Sequence, residues 1–331
     1  MTLLLREADV RMILTMPLAI EAVEEAFRHL ADHSAEMHPR ERLHIPGQSY
    51  LHYMAAGDSA GGYMGLKIYT SSRQGLRFLV PLFDTRSGDL LALVEADYLG
   101  QMRTGAASGV ATKFLANADA RTMAIVGTGS QARTQLEAIA TVRKIERVRA
   151  FSRDAQRREQ FAEEMAARLN ITVRAVASAE EAVRGADIVV TSTTASEPVV
   201  FGAWLKPGAH INAIGANFPE KRELDDETVR RAGVIVVDSL EQSKQESGDL
   251  IRAFEKDASR WASVRELAGI VAGKVAGRTK ADEITLFKSN GIAIEDIVVA
   301  GRVYELARTR AIGTEVPMWQ GDGRLAKGRN V

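Results

Sequence analysis

Apolar residues recur at helical spacing at Ile20, Val23, Phe27 and Leu30, behind Pro17, which suits a first turn. The spacing predicts one helix there. Over residues 34–93 the pattern changes to Gly-rich sequence with short apolar runs, such as 50–56, 63–69 and 78–83. Such runs predict strands joined by turns, one of them at Thr85-Arg86-Ser87-Gly88. A second helix is expected from about Tyr98 to Leu115. Its small residues Gly105, Ala106, Ala107 and Gly109 allow close packing near a cofactor or a partner subunit.

From Thr122 the rhythm becomes strand–helix alternation. Strands are expected at 123–126, 148–151, 171–177, 187–191, 210–214 and 234–237, with helices at 131–142 and 155–169. This alternation implies βαβ units and a parallel sheet. Near Ile292 the pattern returns to one long helix carrying Ile294, Ile297, Val298 and Tyr304. After about Val316 the Gly-, Arg- and Lys-containing tail lacks periodicity and reads as a mobile end. The fold class expected is therefore α/β. A nucleotide-type domain occupies residues 119–291, and a discontinuous α+β partner domain is built from 1–118 with 292–331.

Composition narrows the function. Hydrophobic residues make up 46% and charged residues 26%, which rules out a disordered or collagen-like chain. The absence of cysteine excludes disulfides, cysteine-ligated zinc, iron–sulfur clusters and thiolate nucleophiles. A net charge of +0 offers no footprint for nucleic acid. No run approaches the ~18 apolar residues of a membrane span. Arg6, Glu7 and Asp9 stand where a signal peptide needs an apolar core. A cytoplasmic protein acting on small molecules is expected.

The sharpest motif is Gly127-Thr128-Gly129-Ser130-Gln131-Ala132, a G-x-G-x-x-A turn between a strand and a helix. Gly127 permits the tight turn, Gly129 lets the backbone approach a pyrophosphate, and Ala132 lets helix and strand pack closely. The helix N-terminus offers free N–H groups to phosphates. The middle domain is therefore read as a Rossmann-type dinucleotide-binding domain. At the end of the next strand NAD sites carry an acid for the ribose, whereas this chain has Ser152-Arg153. A guanidinium there suits a 2′-phosphate, so NADP(H) is preferred. NAD(H) stays possible, because Asp154 could reach a ribose.

Together with this turn, Gln101-Met102-Arg103-Thr104-Gly105-Ala106-Ala107-Ser108, Asn212-Ala213-Ile214-Gly215-Ala216, Phe287-Lys288-Ser289-Asn290-Gly291 and Glu295-Asp296 resemble the ornithine cyclodeaminase/μ-crystallin family over nearly the whole chain. The resemblance implies a homodimer whose end-derived domain holds both the substrate site and the dimer interface. It implies that Lys67 is the active-site lysine, and that Arg103, with Arg40 or the nearby Arg42, holds a substrate carboxylate. It places Ser130 and Gln131 against the pyrophosphate, and Thr193, Ile214 and Ser289 against the nicotinamide half. Bottom-up chemistry agrees in kind. Two guanidiniums clamp a planar carboxylate. A lysine among cations and apolar neighbours titrates near working pH. Lys67 in the apolar run 63–69 needs such a reason to be there.

One departure bears on chemistry. Cyclodeaminases of the family carry an Asp where this chain has Asn217, and an amide cannot hold a proton at neutral pH. Asn217 is thus read as a substrate-side residue, and hydride transfer to or from a small α-imino or α-amino acid as the function. Ornithine cyclodeaminase and a cofactor-dependent binding protein of the μ-crystallin kind are the alternatives. Glu220, Lys221 and Glu223 read as a solvated turn and helix start, and Arg77 as an outward strand residue or a reader of a second acidic group. His29, His33 and His38 lack a metalloprotease-type pattern, so no metal is expected.

Overall fold

The computed structural model describes residues 1–318. The chain begins with β1 (Thr2–Leu5), α1 (Glu7–Ile13), α2 (Met16–Ala31), β2 (Ala35–Met37), β3 (Glu41–Ile45), β4 (Ser49–Asp58), β5 (Tyr63–Ser72), β6 (Gly75–Asp84), β7 (Leu90–Glu95) and α3 (Asp97–Leu115). The alternating stretch follows with β8 (Thr122–Val126), α4 (Ser130–Val142), β9 (Arg147–Phe151), α5 (Ala155–Leu169), β10 (Thr172–Ala175), α6 (Ala179–Val183), β11 (Ile188–Thr191) and β12 (His210–Ala213). Then come α7 (Asp226–Arg231), β13 (Ala232–Val237), α8 (Leu240–Glu246), α9 (Gly248–Ala253), β14 (Arg265–Glu266), α10 (Leu267–Val271) and β15 (Ile284–Lys288). The chain returns through α11 (Ala293–Arg310) and β16 (Thr314–Val316).

Two eight-stranded sheets result. One runs β16-β1-β7-β6-β5-β4-β2, with β3 on β4, and its pairs are antiparallel apart from β1 on β7. The other runs β10-β9-β8-β11-β12-β15-β13-β14 and is parallel throughout. The fold is α/β, with a Rossmann-type parallel sheet in the middle of the chain. Strands from both ends of the chain share the first sheet, because β16 pairs with β1. The chain is still a strand at Thr314–Val316, and of the tail expected to be mobile after it, residues 319–331 lie outside the described residues.

The central parallel strands β11, β12 and β15 are buried on both faces and have no exposed positions. β15 went unread in the sequence for that reason. A five-residue run without alternation carries no period, and buried Thr285 and Lys288 break its apolar character. The sheets meet through α3, which is buried on most of its circumference and lies on α4. Gly105 makes this approach possible, since a Cβ there would stand 2.5 Å from the Thr134 carbonyl oxygen. Gln135 Nε2 donates to Thr104 O at 3.0 Å across the same seam. α11 packs on β4, β5, α2 and α3, with Ile294, Ile297 and Val303 fully buried. No helix among the described residues is long and apolar enough to cross a membrane.

Candidate active site

β8 delivers the chain to Gly127 with φ +100, a conformation L side chains rarely adopt. A Cβ there would also run into the Ser192 main chain. Gly129 ends the turn as the residue before α4, and a Cβ on it would meet nothing within 4 Å. Ala132, wholly buried, lets the first turn of α4 sit on the sheet. Ser130 is exposed at the helix start, and Gln131 keeps its Oε1 buried and unpartnered. The turn opens on a cleft of about 750 Å³, lined by Gly127, Gly129, Ser152, Arg153, Thr193 and Val199 among others. These residues fit a dinucleotide. Open space stands over Gly129, and the N-terminus of a 13-residue helix faces it.

At the far edge of the cleft Ser152 accepts from Thr128 Oγ1 at 2.8 Å. Arg153 is exposed. Asp154 is engaged as the cap of α5, accepting from Arg157 N at 3.1 Å. At the near edge lie the C-terminal ends of β11, β12 and β15, with Thr193, half-buried Ile214 and buried Ser289.

Glu223 overturns the expectation of a solvated turn. It is 0% exposed and accepts from Thr191 Oγ1 at 2.9 Å, Thr193 Oγ1 at 2.8 Å and Gly215 N at 2.7 Å. Burial pushes its carboxyl pKa up, against the pull of Lys288. Its main-chain N donates to Asp249 Oδ1 at 2.7 Å, and buried Lys288 reaches Ala216 O at 2.5 Å. These bonds hold the loops that carry Thr193, Ile214 and Asn217. The charged run Glu220-Lys221-Arg222-Glu223 looks solvated, and only the fold brings the donors of Thr191, Thr193 and Gly215 onto Glu223.

Beside that edge lies a buried ion cluster. Register places Met54 opposite Lys67, and Tyr69 between His52 and Phe78, all on one face of the first sheet. Lys67 is 2% exposed and donates to Asp296 Oδ1 at 2.6 Å. Its Nζ lies 5.4 Å from the centre of the Phe78 ring. Arg103 on α3 donates to Glu295 Oε2 at 2.8 Å and to Asp296 Oδ1 at 3.2 Å. Arg40 donates to Glu246 Oε2 at 2.5 Å and to the carbonyls of Asn290 and Gly291, both at 3.0 Å. Arg42 also bonds Glu246, and donates to Asn217 O at 3.2 Å. Asp238 Oδ2 gathers Ser289 Oγ at 3.0 Å and the amides of Asn290 and Gly291, both at 2.7 Å. Gly291 has φ +76, and a Cβ on it would collide with the Arg103 guanidinium. The turn from Ser289 to Gly291 therefore joins the parallel sheet to both arginines.

Electrostatics set the proton inventory. Burial, then the Arg103 charge, pull the Lys67 pKa down to about 8, with Asp296 opposing. Burial lifts the Glu295 carboxyl to about 8 against Arg103. Burial works against the Arg103 charge, but Asp296 and Glu295 outweigh it and push its pKa up. His52 is driven down to about 4 by burial and by Arg42 and Arg40, so it is neutral at working pH.

The structure thus gathers Lys67, Arg103 and Arg40 by the Ser289–Gly291 turn, with Asn217 linked to them through Arg42, while the glycine motif lines a cleft with Ser152 and Arg153. Sequence reasoning anticipated free guanidiniums but missed their carboxylate partners Glu246, Glu295 and Asp296. Glu295-Asp296 was visible as a motif without a role, and nothing local pointed to Glu246. Arg77 is exposed and donates to Leu76 O at 2.7 Å. His29 pairs with buried Asp58 at 3.0 Å, and the described residues contain no cluster of three metal-ligating side chains.

Comparison with known proteins adds three relatives. The profile of the Ornithine cyclodeaminase/mu-crystallin family matches residues 1–311. A Delta(1)-pyrroline-2-carboxylate reductase of Bacillus cereus is 39% identical over 261 residues, 76% of this chain and 80% of that protein. The structure of Thermococcus litoralis Delta(1)-pyrroline-2-carboxylate reductase in complex with NADH and L-proline superposes with a TM-score of 0.91 at 39% identity, covering 95% of this chain and all (100%) of that one. An archaeal alanine dehydrogenase dimer with bound NAD superposes with a TM-score of 0.90 at 36% identity, covering 96% of this chain and 99% of that one.

Proposed function

This chain belongs to the ornithine cyclodeaminase/mu-crystallin family, and from that premise we propose that it is an NAD(P)H-dependent oxidoreductase acting on the C–N bond of a small α-imino or α-amino acid. The observation that carries the reading is the Ser289–Gly291 turn. It continues β15 of the parallel sheet into the bonds that hold Arg40 and Arg103, and Arg103 shares Asp296 with buried Lys67, which supports a substrate site next to the cofactor domain. A bound reduced nicotinamide supplies the hydride that goes to the imine carbon. Arg103 and Arg40 hold the substrate carboxylate, which fixes the carbon next to it. Lys67 gives the proton to nitrogen, so the C=N bond becomes CH–NH while the cofactor is oxidised. The oxidative direction returns both. Asn217 lies at the substrate side, where its amide hydrogen-bonds without taking a proton. That speaks for imine reduction over ornithine cyclodeamination.

The cofactor is a nicotinamide dinucleotide, with NADP(H) favoured over NAD(H). The support is the end of β9, where Arg153, Asp154 and Arg157 all line the cleft and the Asp154 carboxylate is engaged as a helix cap. Gly127, Gly129, Ser130, Gln131 and Ala132 cradle the pyrophosphate, and Thr193, Ile214 and Ser289 border the nicotinamide. Residues 1–118 with 292 onward form the substrate domain, and 119–291 the cofactor domain. A homodimer is favoured by the dimeric alanine dehydrogenase relative. An apolar groove of about 540 Å³ past Met64, Leu66 and Phe83 agrees with it.

The test is a substrate screen read by the absorbance of the reduced nicotinamide. Cyclic α-imino acids, 2-oxo acids with ammonia or methylamine, and L-amino acids are each offered with both cofactors. Turnover with an imino acid is expected. Proline and ammonia formed from L-ornithine, without net cofactor change, would replace this reading with cyclodeamination.

A further inference from the structure

Asp296 is where the two cations of the site meet. Its Oδ1 accepts from Lys67 Nζ at 2.6 Å and from Arg103 Nε at 3.2 Å. It sits in the first turn of α11, where the positive end of an 18-residue helix favours a charged carboxylate. The pair is not saturated. Asp296 Oδ2 is buried without a partner, and Lys67 spends one of its three N–H donors on Asp296, its only hydrogen-bond partner among the described residues. An ion pair built for stability alone closes its remaining hydrogen bonds, because a bare buried oxygen costs free energy. This one leaves two ammonium protons and one buried carboxylate oxygen without a partner among the described residues.

We propose that Asp296 is the positioning residue for the Lys67 proton: it aims the ammonium and holds it charged, and through Arg103 it ties proton donation to carboxylate recognition. This rests on the reductase reading above. The groups that face Lys67 come from several elements. Arg103 lies on α3, Glu295 beside Asp296 on α11, Asp238 after β13, Arg40 before β3, Glu246 at the end of α8, and Tyr69 on β5. Among them Asp296 is the acid bonded directly to Nζ. Glu295 is taken by Arg103, and Glu246 by Arg40 and Arg42. Removing the Asp296 charge therefore leaves Lys67 buried and facing cations, and its ammonium becomes easier to lose. Reduction uses the ammonium, so activity must then fail at a lower pH.

The test titrates Lys67 directly. Protein labelled with ¹⁵N-lysine shows an Nζ resonance that Lys67→Met removes, and its shift is followed with pH in the absence of substrate. The wild type is expected to titrate near pH 8, and Asp296→Asn at least about one unit lower. In parallel, the alkaline limb of kcat/KM for Delta(1)-pyrroline-2-carboxylate moves down by the same interval. An unchanged Nζ midpoint in folded, cofactor-binding Asp296→Asn overturns the proposal. Should the wild type reduce no imino acid while the Nζ midpoint still shifts, the functional reading fails and the role of Asp296 stands. If Asp296→Asn does not fold, Asp296→Glu serves. It keeps the charge but displaces it, so the midpoint stays while kcat falls roughly tenfold or more and cofactor KM holds. Undiminished kcat in Asp296→Glu overturns the proposal equally.

Discussion

Beyond β8 the chain presents main chain to its cleft. Gly127 turns, Gly129 leaves open space, and the charges at the rim, Arg153, Asp154, Arg157 and Glu197, stand in solvent. Around Lys67 it presents side chains. Arg40, Arg103, Glu246, Glu295 and Asp296 are all buried, and each bonds an opposite charge. The first region binds by shape and partial charge, and a lost side chain there costs affinity. In the second region each charge is both chemistry and fold, since removing one strands another in the dry interior. The two regions should therefore answer mutation differently.

The largest effect is expected at Lys67. Lys67→Met should cut kcat by roughly 10²–10⁴, the span of a lost general acid, while the protein still binds the dinucleotide. Single-turnover kinetics beside a cofactor-fluorescence titration separate the two. Cofactor affinity lost together with kcat would erase the division between the regions. Arg103→Ala comes next. It leaves Glu295 and Asp296 facing each other without their guanidinium, so unfolding free energy should drop by about 3–5 kcal/mol along with substrate affinity. Urea unfolding checks this. Adding Glu295→Gln should recover part of the stability but none of the carboxylate binding, because the Gln removes the stranded charge without restoring the clamp.

The cleft should behave otherwise. Gly129→Val places a side chain in open space, so stability should stay within about 0.5 kcal/mol of wild type. Dinucleotide affinity should fall roughly tenfold or more, as the side chain takes the pyrophosphate's place. Gly127→Val is the control, since there φ is +100 and the Ser192 main chain blocks a Cβ, so folding itself should suffer. Thermal unfolding and calorimetric titration of both variants read the contrast. Equal stability losses would mean that the space over Gly129 belongs to the fold and not to a ligand.

The same division governs what the sequence discloses. The cleft is written in six consecutive residues, Gly127 to Ala132, between a strand and a helix that periodicity reveals, so its position is legible. The ion cluster joins Arg40 to Glu246 across 206 residues, Lys67 to Asp296 across 229 and Arg103 to Glu295 across 192. Periodicity has no reach at that range, so the roles of the cations came through family resemblance, Glu295-Asp296 stood as a motif without a role, and Glu246 did not enter at all. Glu223 shows the same blindness. Its donors come from the end of β11 and from the loops after β11 and β12, and an acid inside a run of charged residues gives no local sign of burial. β15 was lost for a different reason, since a strand covered on both faces has no alternation to read.

The smallest effect is expected at Arg153, and it bears on which dinucleotide the open region selects. Arg153 is exposed, so a contact to a 2′-phosphate works against water and salt and should be worth about 1–1.5 kcal/mol. Arg153→Ala should raise the KM for NADPH roughly tenfold, leave that for NADH within about twofold, and change neither kcat nor stability. The NADPH penalty should shrink as ionic strength rises, because an exposed charge pair is screened where a buried one is not. Asp154 provides the counter-test. Its side chain caps α5 through Arg157 N, so Asp154→Ala should cost about 1 kcal/mol of stability and leave the NADH KM alone. If Asp154→Ala instead weakens NADH selectively, that carboxylate reads the ribose and the preference belongs to NAD. The two solved relatives hold NADH and NAD, which makes the direction of this result a discriminating one. A wild-type kcat/KM clearly higher with NADH than with NADPH would overturn the assignment without any mutation.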